Sequence, residues 1–151
     1  MAKNPKGRPV TSSLLDRLLS TRRGKKTLRQ VQQFLAIDLE DLLNTRCRCE
    51  LLPESMEELK TSMVNYGLPD FTGVKMSSAV ERIRLKRLLE DTISRYESRL
   101  ESVRVTILEN KRASDRRLHF QIEATFNARP TPQTVVFDST LEPTTATFEI
   151  K

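Results

Sequence analysis

Few residues in this chain combine a chemically useful type with a spacing that chemistry could exploit. Glu97 and Arg99 stand two apart in Tyr96-Glu97-Ser98-Arg99-Leu100, where a helical pattern gives way to a strand pattern. On extended backbone, residues two apart point to the same side, so this acid and base can pair. In water such a pair contributes about 0–1 kcal/mol, too little to serve as a stability device. Within a subunit contact, breaking it costs roughly 2–5 kcal/mol. That asymmetry makes the junction a candidate docking site, set against the plainer reading of a solvated surface pair.

The other candidate chemistries are weaker. Carboxylates are plentiful, but a glycoside hydrolase needs two of them roughly 5–10 Å apart across a sugar, one with a raised pKa. No acid here sits in an apolar context that would raise it, so solvated helix and loop acids are the simpler reading. His119, the sole histidine, falls on the polar phase of a strand, and no serine lies in an elbow motif. Gly24, Gly67 and Gly73 form no phosphate-binding loop. Cys47 and Cys49, the sole cysteines, are too close in sequence to bridge readily and too few for a zinc site. They read as reduced thiols.

Charge is distributed unevenly. The net charge is +6, yet residues 1–30 hold nine Lys/Arg against the single acid Asp16, and residues 31–151 hold seventeen against nineteen acids. Basicity therefore belongs to the N-terminal segment, first a solvated tail and second an anion-binding element. Arg82, Arg84, Lys86 and Arg87 crowd one helix, but they interleave with apolar residues as on an ordinary amphipathic helix. No finger or base-stacking motif accompanies them, so nucleic-acid binding is a minority reading. No apolar run is long enough to span a membrane and no secretory signal opens the chain, which makes the cytoplasm the expected compartment.

The elements that must position these residues follow from periodicity. Residues 1–10 read as a flexible basic arm and 11–151 as a single domain. Ser12 or Ser13 can cap a short helix whose Leu14, Leu15, Leu18 and Leu19 form an apolar stripe. A helix over Thr27–Thr45 is predicted by Leu28, Val31, Leu35, Leu39 and Leu42. Ser55-Met56-Glu57-Glu58 and Ser78-Ala79-Val80-Glu81 are capping-box patterns; the second opens a helix that ends near Tyr96, with Val80, Ile83, Leu88, Leu89 and Ile93 at helical spacing. Gly67 suits a helix C-cap, and Pro69 prevents continuation. From Ser102 the pattern turns to strands, most clearly over Leu118–Phe126. Val135–Asp138 and Thr145–Ile150 are expected to pair across Thr140–Pro143. Helices first and an antiparallel sheet second make the fold class α+β.

Four of these segments carry a resemblance. Ser13-Leu14-Leu15-Asp16-Arg17-Leu18 is similar to the opening of the TssE family of type VI secretion baseplate proteins. Asp38-Leu39-Glu40-Asp41-Leu42-Leu43-Asn44-Thr45-Arg46 and Tyr66-Gly67-Leu68-Pro69-Asp70 resemble two further family segments. Glu97-Ser98-Arg99-Leu100 stands where the family and its phage-tail relatives carry Glu-Pro-Arg-Leu. All four occur in family order.

The resemblance implies a structural role without a cofactor or small-molecule substrate: a wedge subunit that joins other baseplate subunits and helps initiate the contractile sheath at the cytoplasmic face of the inner membrane. It assigns that assembly role to Glu97 and Arg99, with Ser98 replacing the family proline that would fix φ. Leu14, Leu15, Arg17 and Leu18 become a second candidate partner contact, with packing on their own domain as the alternative. A small sheet with open edges can also accept a strand from a neighbour. The competing functions are a peptidoglycan-cleaving, lysozyme-like hydrolase and a basic-arm nucleic-acid binder.

Overall fold

In the computed structural model the described residues are 28–47, 55, 57–60, 62–71, 78–108, 117–126 and 132–151. The basic arm, the Leu14–Leu19 stripe with Arg17, Cys49 and residues 109–116 lie outside them. Helix α1 spans Leu28–Asn44, α2 Glu57–Lys60, a 3-10 turn Met63–Asn65, and α3 Ala79–Tyr96. Strands β1 (Leu100–Leu108), β2 (Leu118–Phe126), β3 (Gln133–Glu142) and β4 (Thr147–Ile150) form one antiparallel sheet in sequential order. The fold is α+β, as the order of patterns predicts.

Among the described residues, helices cover one face of the sheet and none covers the other. In β2 the alternation places Leu118, Phe120, Ile122, Ala124 and Phe126 inward. They meet Val31, Leu35, Leu39, Leu42 and Leu43 of α1 and Leu85, Leu89 and Ile93 of α3 in a single buried cluster. Phe148 sits at its centre, edge-on to both Phe71 and Phe120 at 5.9 and 5.8 Å, the geometry that aromatic quadrupoles favour. No helix among the described residues is long and apolar enough to cross a membrane.

Several sequence expectations are corrected. Ser78 is the N-cap of α3, but its side chain makes no capping hydrogen bond. Val80 and Ile83 do not reach the core; they are 71% and 52% exposed, because the buried stripe of α3 runs through Leu85, Leu89, Thr92 and Ile93. Strand β3 continues through Glu142, since Ser139 and Leu141 keep facing inward, and the hairpin turn is Pro143–Ala146. Strand β1 begins at Leu100 rather than Ser102. Glu101 pairs with Thr125 but Arg104 with Glu123, so Ser102 and Val103 together oppose Ala124. This bulge, with Ser102 at φ 52, lets Leu100 and the odd-numbered Val103, Val105 and Ile107 face the same side.

The sheet edges also differ from expectation. Helix α1 closes the outer edge of β4: the Asn44 Nδ2 donates to the Phe148 carbonyl at 2.9 Å, while the Phe148 N–H donates to Asn44 Oδ1 at 2.8 Å. The Ile150 N–H donates to Glu40 Oε2 at 3.1 Å. A side-chain amide thus reproduces the donor–acceptor pair of a neighbouring strand.

Candidate functional site

Three sequence segments far apart in the chain meet at one place. The first two join through backbone. After α1, the Leu68 N–H donates to the Thr45 carbonyl at 2.9 Å and the Cys47 N–H to the Leu68 carbonyl at 2.8 Å, so that Arg46 and Leu68 form a parallel bridge. Gly67 makes this approach possible. It has φ +99, and a Cβ on it would lie 2.3 Å from the Thr45 carbonyl oxygen. Both conditions require glycine. It follows the 3-10 turn at the position where a left-handed cap is expected.

Arg46 extends the same junction. Its guanidinium donates to the Leu43 carbonyl at 3.3 Å and to the Ala146 carbonyl. It also lies 4.9 Å from the centre of the Phe71 ring, a cation–π distance. The end of α1 is thereby tied to the β3–β4 turn and to Phe71 at once.

The third segment is the α3–β1 junction. It is a tight turn, not extended backbone: the Glu97 N–H completes α3 by donating to the Ile93 carbonyl, and the Leu100 N–H donates back to the Glu97 carbonyl at 3.1 Å. The turn brings Arg99 onto Glu97. One carboxylate oxygen accepts from the Arg99 N–H at 3.1 Å and from Nε at 2.6 Å, and the other accepts from Nη2. Arg99 Nη2 also reaches Asp38 on α1. Glu97 is only 8% exposed, while the Arg99 and Asp38 side chains retain 29% and 45%. A planar guanidinium suits this use, with a fork for one carboxylate and a spare N–H for the second. The hydrogen bond to Glu97, reinforced by Asp38 and opposed by burial, pushes the Arg99 pKa still further up.

Tyr66 links this cluster to the Gly67 loop. Its ring meets Tyr96 edge-on at 5.1 Å. Its phenol pKa is raised by burial and by the charges of Asp38, Asp41 and Glu97. The folded phenol thus holds its proton more tightly than the unfolded one, so its contribution is full below about pH 10 and is lost as pH rises through the folded value. Tyr66→Phe is expected to flatten this part of the alkaline loss of stability. Equal alkaline slopes in urea titrations of the two proteins would contradict it.

Ser98 occupies the second position of the Glu97–Leu100 turn and is exposed, the place where proline is favoured. Glu97 is already non-helical at φ −107, ψ 82, as a residue before proline should be. Ser98→Pro is therefore expected to stabilise the fold by about 0.4–1 kcal/mol, through lost freedom of the unfolded chain. A lower melting temperature in the variant would contradict this.

Glu97 and Arg99, expected to pair, do pair, through a turn rather than an extended strand. Asp38, Arg46, Asn44 and Gly67 join the site without a local spacing that marks them in the sequence, although each stands in one of the segments that carry the resemblance. Cys47 Sγ lies 3.0 Å from Asn65 Oδ1. No group of three or more His, Cys, Asp or Glu among the described residues could hold a metal ion.

These contacts lock three segments of the chain around one junction in a small α+β fold. Residues 29–131, spanning all three segments and the first two strands, match the family described as baseplate wedge protein gp25. The chain belongs to that family. Its fold is similar to that of a chain in the solved structure "The baseplate complex from the type VI secretion system", with 20% identity, 76% of this chain and 96% of that chain covered, and a TM-score of 0.51. A comparison with curated proteins gave no match.

Proposed function

We propose that this protein is a structural subunit of a type VI secretion baseplate wedge. In this reading it docks other wedge subunits through the Glu97–Arg99–Asp38 cluster and helps begin the contractile sheath, at the cytoplasmic face of the inner membrane. The observation that carries this reading is the convergence of Asp38–Arg46, Tyr66–Asp70 and Glu97–Leu100 on one locus. Two carboxylates share one guanidinium there, so the cluster keeps a net negative charge. A basic partner side chain at Asp38 would complete it, and charge complementarity of that kind sets specificity and encounter rate. Leu14, Leu15, Arg17 and Leu18 form the second proposed contact, and truncation of residues 1–26 should weaken partner capture without lowering the melting temperature.

Family membership favours a structural component over a hydrolase. A groove of about 440 Å³ between the Pro69–Phe71 loop and α3 does carry Asp70, Glu81 and Asp91. Arg84 and Arg87 are interleaved with them, and Asp70 and Asp91 are exposed. A general acid instead needs a carboxyl held in apolar surroundings. A pull-down from cells carrying the secretion cluster tests the assembly reading: recovery of baseplate and sheath proteins supports it, and recovery of nucleic acid alone contradicts it. Turnover in a muramidase assay would favour the hydrolase.

A further inference from the structure

The groove between the Pro69–Phe71 loop and α3 has one wall that is held firmly from behind. Just before the loop, the Leu68 N–H donates to the Thr45 carbonyl, and the Leu68 carbonyl accepts from the Cys47 N–H. Phe71 packs edge-on to Phe148 and lies under the Arg46 guanidinium. The opposite wall is the N-terminal half of α3, where Leu85 and Leu88 join Phe71 in an apolar floor. A groove of about 440 Å³ with a fixed wall can take a ligand with little rearrangement, which lowers the cost of binding. It lies apart from the Glu97 cluster, since the stretch of chain from Arg87 to Glu97 spans about 15 Å of helix.

The charges on the helical wall lack counter-ions. Arg84 and Arg87 are exposed and line the groove, and neither forms an ion pair or hydrogen bond among the described residues. Like charges one turn apart disfavour a helix. A carboxylate seated between the two guanidiniums would relieve that repulsion through charge-assisted hydrogen bonds. Asp91, also exposed, stands one turn beyond Arg87 and lines the same groove. Largely exposed Val80 continues this side of α3 at helical spacing.

We infer that this groove docks a segment of another wedge subunit, one that seats a large apolar side chain on Phe71, Leu85 and Leu88 and a carboxylate between Arg84 and Arg87. Asp91, one turn further on, sets the register by favouring a basic residue at the far end of that segment. Two other occupants fit less well. Residues 1–30 of this chain hold nine Lys/Arg against a single acid, the wrong sign for Arg84 and Arg87. A lipid surface is flat and does not reach a floor recessed between two walls. The chemistry of the groove stands on the geometry of this chain; the source of the segment rests on the wedge reading above.

The test uses the full chain and two readouts. The first is binding of the apolar anion anilinonaphthalene sulfonate, which seeks exposed apolar surface. The double variant Arg84→Glu/Arg87→Glu, folded by circular dichroism, should bind it about tenfold more weakly than wild type, because close charges of the wrong sign repel. The second is photo-cross-linking from p-benzoylphenylalanine in place of Val80, in cells that co-produce the wedge subunits of the same secretion system. It should link to one of those subunits at a peptide carrying Asp or Glu, and the double charge reversal should abolish the link. Equal dye binding by the folded double variant and wild type overturns the arginine site. A link to residues 1–26 would make the occupant the chain's own arm, and a link between copies would make it a second copy; either overturns the partner segment. Recovery of wedge subunits with no link from position 80 overturns the groove as their docking site. If wild type recovers no wedge subunit, the wedge reading falls, while dye binding still decides the chemistry of the groove.

Discussion

Gly67→Ala is expected to lower the unfolding free energy by more than about 3 kcal/mol, in the range where point substitutions are exceptional. A methyl group at Gly67 would meet the Thr45 carbonyl oxygen at 2.3 Å, and the atom that must yield is backbone. Any shift also breaks the Leu68 N–H to Thr45 and Cys47 N–H to Leu68 bonds that join the loop to α1. The φ of +99 adds strain whatever space is made. With total stabilities of about 5–15 kcal/mol, such a change removes a large fraction. Urea unfolding measures it, and a loss below about 1 kcal/mol, the typical single-substitution value, would show that the close approach is not maintained in solution.

Arg99→Ala should be the second largest effect, about 2–3 kcal/mol, from stranding a carboxylate. Glu97 is buried and takes three hydrogen bonds from Arg99; two of them leave with the side chain. The partial exposure of Arg99 and Asp38 lets water relieve the rest, which keeps the loss below that of a fully buried pair. Glu97→Ala should be milder, because Arg99 retains Asp38 and solvent. Arg99→Lys should fall between, since an ammonium keeps the charge but loses the fork. The order Arg99→Ala, Arg99→Lys, Glu97→Ala in thermal melts is the expected result, and its inversion would mean that Glu97, not Arg99, organises the cluster.

Much of the fold is legible in the sequence because each periodic pattern faces one buried surface. The alternation over Leu118–Phe126 and the stripe through Val31, Leu35, Leu39 and Leu42 have one reading each. Where two signals compete, packing decides. Val80 and Ile83 fit the helical spacing of α3 but not the direction of the core. Strand β1 looks out of phase at Leu100 until the bulge at Ser102 restores it. The pair Glu97 and Arg99 is visible as an acid and a base two apart, yet the turn that joins them is a backbone hydrogen bond that composition does not record. Asp38 lies 61 residues from Arg99, and no local rule connects them. The closure of β4 by Asn44 depends on where α1 ends relative to the last strand, which only the packed structure defines.

The Glu97–Arg99–Asp38 cluster either docks a partner or only holds its own chain together. The most direct measurement is co-purification of the other wedge subunits with Arg99→Lys and Glu97→Ala, at a temperature where both variants are folded by circular dichroism. Partner recovery is expected to fall at least about tenfold, equal to about 1.4 kcal/mol of interface energy, while the variants remain folded. Full partner recovery by both folded variants would contradict it and leave the cluster a purely internal clasp.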